Sequence, residues 1–330
     1  MAKLARHAAV ALSLLLLSSA NAATRPRYGG TLRVETRQAP ETADPPAFLG
    51  AGFNITRWEA GHRAVYEADD NAPGGRPFLD TVDFTLGRPL RDQSIDLELG
   101  KAEVVELGPN ELRRQPAGRK LWSSSPVRIL VLVFSPRFDD ARVREALALA
   151  VDRSAIHAVL LQRQGEISGA LLPEWLSGYA FLFPVAQDLT RARSLVAGAR
   201  PLTLAVEDPA ARPIADRIAL NARDAGLTVS ISAQPATADL RLTELRIASS
   251  DPARALAGIA AALGVPEAAR IDTAESLCNA ERALLDGFRF IPLIHLPDVY
   301  GVSPRVHGAP GITELGERRF ENLWLEGPRP

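Results

Sequence analysis

The chain of 330 residues contains one cysteine, Cys278. A lone thiol excludes an internal disulfide and any CxxC redox or metal site. Lysine is nearly as scarce: Lys3, Lys101 and Lys120 are the only lysines among 38 basic residues. The 39 acidic residues are scattered and leave a formal net charge of −1, so no basic stripe invites a nucleic acid. The arginine excess reads as genomic base composition. Catalytic signatures are also missing. There is no GxSxG elbow, no HExxH and no P-loop, and Gly50-Ala51-Gly52 is followed by Phe53, so the dinucleotide fingerprint lacks its third glycine. His62, His157, His295 and His307 share no metal-ligand spacing. The pairs Asp69-Asp70 and Asp139-Asp140 read as a solvated loop and a helix cap. No nucleophile, base and orienting group can be assembled, so the reading is of a non-enzyme without cofactor or metal.

Long hydrophobic runs are lacking except at the start, where Lys3, Arg6 and His7 precede the apolar stretch Ala8 to Leu17. Ten residues are too few for a bilayer, which needs about 20. Ala20-Asn21-Ala22 supplies small residues at −3 and −1 of a cleavage site, so residues 1–22 read as a secretory signal peptide and the product as periplasmic. No cysteine follows for lipid attachment. Over its full length the chain is 46% apolar and 23% charged, a globular composition.

Strand and helix signals alternate. Thr31 to Thr36 and Thr81 to Leu86 alternate apolar and polar residues, as half-buried strands do. Val127 to Phe134 is continuously apolar, as a strand covered on both faces is. Asp139 and Asp140 offer caps to a helix carrying Val143, Ala146, Leu147 and Ala150 at helical spacing. Leu202 to Val206, Pro209 to Ala225 and Leu227 to Ile231 spell a βαβ unit, with Gly226 ending the helix. Further helices are expected after Asp251-Pro252 and over Thr273 to Leu285, and a strand over Phe288 to Leu296. The class is α/β.

The segment Phe138-Asp139-Asp140-Ala141-Arg142-Val143-Arg144-Glu145-Ala146-Leu147, continuing through Ala150-Val151-Asp152-Arg153, resembles the signature of family 5 solute-binding proteins. Tyr28-Gly29-Gly30-Thr31-Leu32, Gly165-Glu166, Leu171-Leu172-Pro173 and Ile291-Pro292-Leu293 fall in that family's order. The resemblance implies a periplasmic receptor of an ABC importer, with a type II two-lobed fold closing over a small, peptide-like or other solute. It implies an inner-membrane ABC permease as partner and a monomer in solution. The expected first lobe is 23–132 plus 297–330 and the second 133–296, with strands of the second not expected in the sheet that holds Thr31 to Thr36.

Two departures accompany the resemblance. Asp44-Pro45 is followed almost at once by Gly50 to Phe53, so the small extra domain of relatives is expected to be missing. Peptide-binding relatives carry an acid three positions before an Asp-Pro pair, and here that position is Ala248, which can neither accept a hydrogen bond nor neutralise an ammonium. Ser249 and Ser250 beside it offer only uncharged oxygens. Asp251 either caps its helix or touches ligand. Trp58 and Trp175 are candidate cleft walls or core residues. Arg246 is placed to hold an anionic ligand group or a surface carboxylate, and His295 either faces ligand or is a satisfied buried histidine. The alternative to transport is a reduced relative that serves as a periplasmic interaction or sensing module.

The exported protein is expected to begin at Ala23. N-terminal sequencing of periplasmic material checks this, and an intact Met1 on membrane-bound protein would refute it.

Overall fold

The computed structural model describes residues 25–116, 118–232, 234–265 and 271–327. The expected signal peptide, residues 1–22, lies outside the described residues. No helix among the described residues is long and apolar enough to cross a membrane.

The first half of the chain builds β1 (Thr31–Glu35), β2 (Phe53–Glu59), β3 (Arg63–Ala68), β4 (Thr81–Thr85) and β5 (Val104–Glu106). Alternation works as expected in β1 and β4, where Leu32, Val34, Val82 and Phe84 are fully buried. The hairpin β2–β3 is absent from the sequence reading for a physical reason. Residues 54–57 are all exposed, so β2 has no buried face to reveal it, and its pairing with β3 holds it in place.

Two long strands dominate the molecule: β6 (Lys120–Phe134) and β11 (Phe290–Val302). They run antiparallel from Phe290 opposite Val133 to Val302 opposite Lys120. Sequence reading finds only the apolar half of each. The remainder of β6 begins Lys120-Leu121-Trp122 and continues through three serines to Pro126, a loop-like composition that becomes strand because the far end of β11 supplies its ladder. The register slips between Pro292 and Ile294 and on both sides of Pro297, where proline has no N–H to give.

Between these strands the chain adds β7 (Glu166–Ile167), β8 (Leu202–Val206), β9 (Val229–Ser232) and β10 (Leu240–Arg246). β8 and β9 pair in parallel across the helix Arg212–Asp224, the expected βαβ unit. Asp140 caps the helix Ala141–Ala150 by accepting from the Arg142 and Val143 amides at 3.1 and 3.3 Å. Asp251 and Thr273 cap the helices Pro252–Ala262 and Ala274–Leu285.

The strand order is β2-β3-β4-β1-β5-β11-β6-β10-β8-β9, with β7 on β11. One hydrogen-bonded path therefore joins β1 to the strands of residues 133–296, contrary to expectation. The reason is length: β6 and β11 are long enough to pair with β10 at one end and β5 at the other. The cores nevertheless stay apart. One is built around Leu32, Val34, Phe84, Trp122, Tyr300 and Phe320, the other around Leu132, Leu147, Ile156, Leu204, Ile218 and Ile291.

The second core is stitched to β11 by buried polar groups. Arg153, 1% exposed, donates from Nε to the Pro292 carbonyl at 3.0 Å and from Nη1 to the Ala148 carbonyl at 3.3 Å. Buried Glu281 accepts from the Leu171 and Leu172 amides and from the Tyr179 hydroxyl. Gly165 approaches β11 so closely that a Cβ there would lie 2.0 Å from the His295 carbonyl oxygen, and its φ is +77°. Gly165→Ala is therefore expected to combine a backbone clash with left-handed strain and to destabilise the fold by at least ~3 kcal/mol. Urea denaturation of the variant measures it.

Candidate ligand-binding cleft

A cavity of about 1360 Å³ lies between the two cores. The segments that follow β1 and β5 contribute Arg37 and Leu107, and the C-terminal segment contributes Arg318. The opposite wall comes from the end of β10, from the turn at Asp208 and from residues 159–164. Leu296 to Tyr300 of β11 form part of the lining where the strand passes from one core to the other.

The lining is rich in charge, and its charges are paired. Arg128 of β6 donates from Nη1 to Glu244 at 2.9 Å and from Nη2 to the Pro297 carbonyl at 2.5 Å, while its Nε lies 2.9 Å from Asp298. Arg246 donates to the other Asp298 oxygen at 2.7 Å. Glu106 accepts the Arg37 amide at 2.6 Å and lies 3.5 Å from Arg318. The Arg37 guanidinium pairs with Asp208 and so reaches from the β1 side to the β8 side. Arg318 is wedged among Phe48, Phe84 and Tyr300, its guanidinium carbon 5.8 to 6.0 Å from each ring centre. Burial pushes the Tyr300 phenol above its usual pKa.

Of the residues singled out in the sequence, Arg246, Ser249 and Ser250 line this cavity, as does Ala248. The other four lie elsewhere, each with a partner. The half-buried Trp58 stands behind the cavity residue Phe48, 6.2 Å between ring centres, and donates to the Thr42 carbonyl at 3.0 Å. Trp175 donates to the Pro126 carbonyl at 2.9 Å, on the ladder break opposite Pro297. The Asp251 carboxylate accepts the Arg254 amide at 2.8 Å as a helix cap. His295 is 3% exposed and its Nε2 sits 3.0 Å from the Leu171 carbonyl. Sequence reasoning missed Arg37, Arg128, Asp298, Tyr300 and Arg318. Two of these carried a signal, because Arg128 and Asp298 are charges inside otherwise apolar strands.

Among the described residues, no group of three or more His, Cys, Asp or Glu side chains is arranged to hold a metal ion. The geometry is of two cores, two strands passing between them, and a polar cavity where they pass.

Comparison with known proteins agrees. The profile of the bacterial extracellular solute-binding proteins, family 5 (middle region), matches residues 3–268, and the chain belongs to that family. It is 26% identical over 132 residues to the oligopeptide-binding protein AppA of Bacillus subtilis, covering 38% of this chain and 24% of that one. To the dipeptide-binding protein of Escherichia coli it is 25% identical over 138 residues, or 40% and 26% of the two chains. The chain therefore aligns with about a quarter of the length of these curated relatives. Solved structures of the same fold include NikA from Staphylococcus aureus in complex with Ni(L-His)2, with a TM-score of 0.70 at 14% identity, covering 83% of this chain and 68% of that one. The B. subtilis AppA complex with a nonapeptide superposes with a TM-score of 0.64 at 15% identity, covering 84% and 66%. The α/β, periplasmic-binding-protein-like architecture is thus shared over about two thirds of these larger chains.

Two buried groups give the fold a pH dependence of opposite sign. Burial pushes His295 down to about 4 from 6.5. The folded state then binds fewer protons between those values, so stability is full above pH 6.5 and falls as pH drops toward 4, by about 3 kcal/mol. Burial first, and the Asp96 carboxylate next, push Glu35 up to about 7 from 4.5. That contribution is full below pH 4.5 and is lost as pH rises through 7. In urea titrations, His295→Gln should gain on the parent protein as pH falls from 6.5 to 4, and Glu35→Gln should gain on it as pH rises from 4.5 to 7. The reverse trends would contradict these assignments.

Proposed function

We propose that this chain is the periplasmic substrate-binding component of an ABC importer, holding a small peptide-like or other solute in the cavity between two lobes. The first lobe is 23–132 with 297–330 and the second is 133–296. The observation that carries the reading is the cavity of about 1360 Å³ lined from both cores, at the place where only β6 and β11 carry the chain across. Two crossings permit hinge closure, because bending two strands at proline-interrupted points leaves each core intact. Several neighbours of the same fold are structures with peptide or Ni(L-His)2 bound, which supports a solute of that size. Family membership supports export and a permease partner. The protein acts by capture and release, without bond-making chemistry.

Ala248 lines the cavity and is exposed to it. A peptide ammonium brought there would lose hydration without gaining a paired charge, at a cost of several kcal/mol. Ala248→Asp is expected to strengthen binding of peptides with free N-termini by about tenfold or more, while leaving their acetylated forms unchanged. Calorimetry on both proteins with matched peptides tests it. Tight, amine-dependent binding by the parent protein would place the ammonium anchor elsewhere.

A further inference from the structure

We propose that the cleft selects its solute by a carboxylate, held between Arg246 and Arg318, and requires no amine. The proposal rests on the reading of the cavity as the solute site.

The charge inventory of the cavity carries the argument. Its lining holds five carboxylates: Glu106, Asp208, Glu244, Asp298 and Glu317. Each already meets an arginine: Glu106 meets Arg318, Asp208 meets Arg37, Glu244 meets Arg128, Asp298 meets both Arg128 and Arg246, and Glu317 meets Arg319. An ammonium entering the cavity would compete with one of these arginines for its carboxylate. At Asp298 and Glu244 the deprived partner would be Arg128, whose side chain is only 22% exposed, so the exchange would strand a largely buried cation.

The cations stand differently. A guanidinium has five N–H donors, and one carboxylate occupies at most two. Arg246 spends one nitrogen on Asp298, and its side chain remains 41% exposed at the cavity wall. Arg318 is under-satisfied although its side chain is only 12% exposed. Its Nη2 contacts to Glu106 and Tyr300 are long, 3.5 and 3.4 Å, and its Nε is buried with no hydrogen-bond partner among the described residues. Arg113, also in the lining, makes no ion pair among the described residues. The cavity therefore holds spare donors, while each of its carboxylates is already paired with an arginine.

The two arginines stand beside neighbouring residues of β11: Arg246 donates to Asp298 at 2.7 Å, and Arg318 Nη2 lies 3.4 Å from the Tyr300 hydroxyl. The Tyr300 hydroxyl feels the charges of Arg318 and Arg246 together with those of Asp298 and Glu106. Gly316, two residues before Arg318, lets Arg246 approach: a Cβ at Gly316 would lie 2.5 Å from the Arg246 Nη2. A planar carboxylate presents four lone-pair sites, enough for the nitrogens that Arg246 leaves free and for the short contact that Arg318 lacks. Phe48 and Tyr300 supply the apolar surface for the rest of the solute.

The test uses five probes on the full exported protein: free trialanine, N-acetyl-trialanine and its C-terminal amide, and glutarate and glutaramide. Binding is followed by calorimetry and by melting temperature in physiological salt. The acids are expected to bind at least tenfold more tightly than their amides and to raise the melting temperature, whereas free and acetylated trialanine should bind alike. Arg246→Gln should abolish the preference for acids, Arg246→Lys should retain part of it, and the unliganded melting temperature of each reports that the fold is intact. If amides bind as well as acids, or if affinity follows the free amine, the carboxylate proposal is overturned while solute capture stands. If no probe binds at about millimolar concentration or below, the carboxylate anchor and the solute reading of this cavity fail together. A preference for acids that survives Arg246→Gln overturns the assignment to this pair.

Discussion

The structure depends on a ladder that is broken on purpose. β6 and β11 form the spine shared by both cores, and prolines at 126, 292 and 297 deny it amide donors at set points. A proline gives no N–H to the carbonyl opposite it, and Pro126 and Pro297 stand opposite each other; a buried carbonyl without a partner is costly. Here each of the three proline carbonyls is taken by a side chain: Pro292 by Arg153, Pro297 by Arg128 and Pro126 by Trp175. The breaks are thus satisfied without restoring the ladder. The spine is continuous enough to unite the molecule, and its ladder is interrupted at Pro297, where the cavity lies.

This arrangement explains why most of the segments that carry the family resemblance converge on one strand; Tyr28 to Leu32, which leads into β1, does not. Arg153 ends the Phe138 to Arg153 block and bonds to the carbonyl of Pro292, which sits in Ile291-Pro292-Leu293. Gly165 lies against the His295 carbonyl, and the Leu171 carbonyl receives His295 Nε2 while the Leu171 and Leu172 amides bond to Glu281. Three motifs far apart in sequence thus buttress β11, the strand that holds the fourth. Their work is structural, and they say little about what the cleft holds.

That division governs what could be read in advance. The helices announced themselves through caps and spacing at Asp140, Asp251 and Thr273, and the βαβ unit through the sequence of strand, helix, Gly226 and strand. These are local signals, and local signals survive in a sequence. The polar half of β6 and the exposed strand β2 were invisible because pairing partners, not their own residues, make them strands. The same holds for the cleft. Arg246, Ser249 and Ser250 were reachable through their place beside Asp251-Pro252, whereas Arg37 and Arg318 lie some 280 residues apart and meet only through Glu106. His295 and Trp175 drew attention as residue types suited to ligands. Both turned out to donate hydrogen bonds to backbone carbonyls, a use that leaves no periodic trace.

Arg128 gives the scarcity of lysine a second meaning. Its guanidinium serves three directions at once: Nη1 to Glu244, Nη2 to the Pro297 carbonyl, and Nε beside Asp298. A planar fork with fixed angles can act as a three-way junction inside a narrow space, whereas an ammonium is a single point at the end of a flexible stem. Arg153 repeats the device on a smaller scale, with two of its nitrogens bridging a helix carbonyl and a strand carbonyl. Whatever drift in base composition filled the surface with arginine, at these two positions the codon choice is fixed by solid geometry, and exchange for lysine would dismantle a joint while conserving the charge.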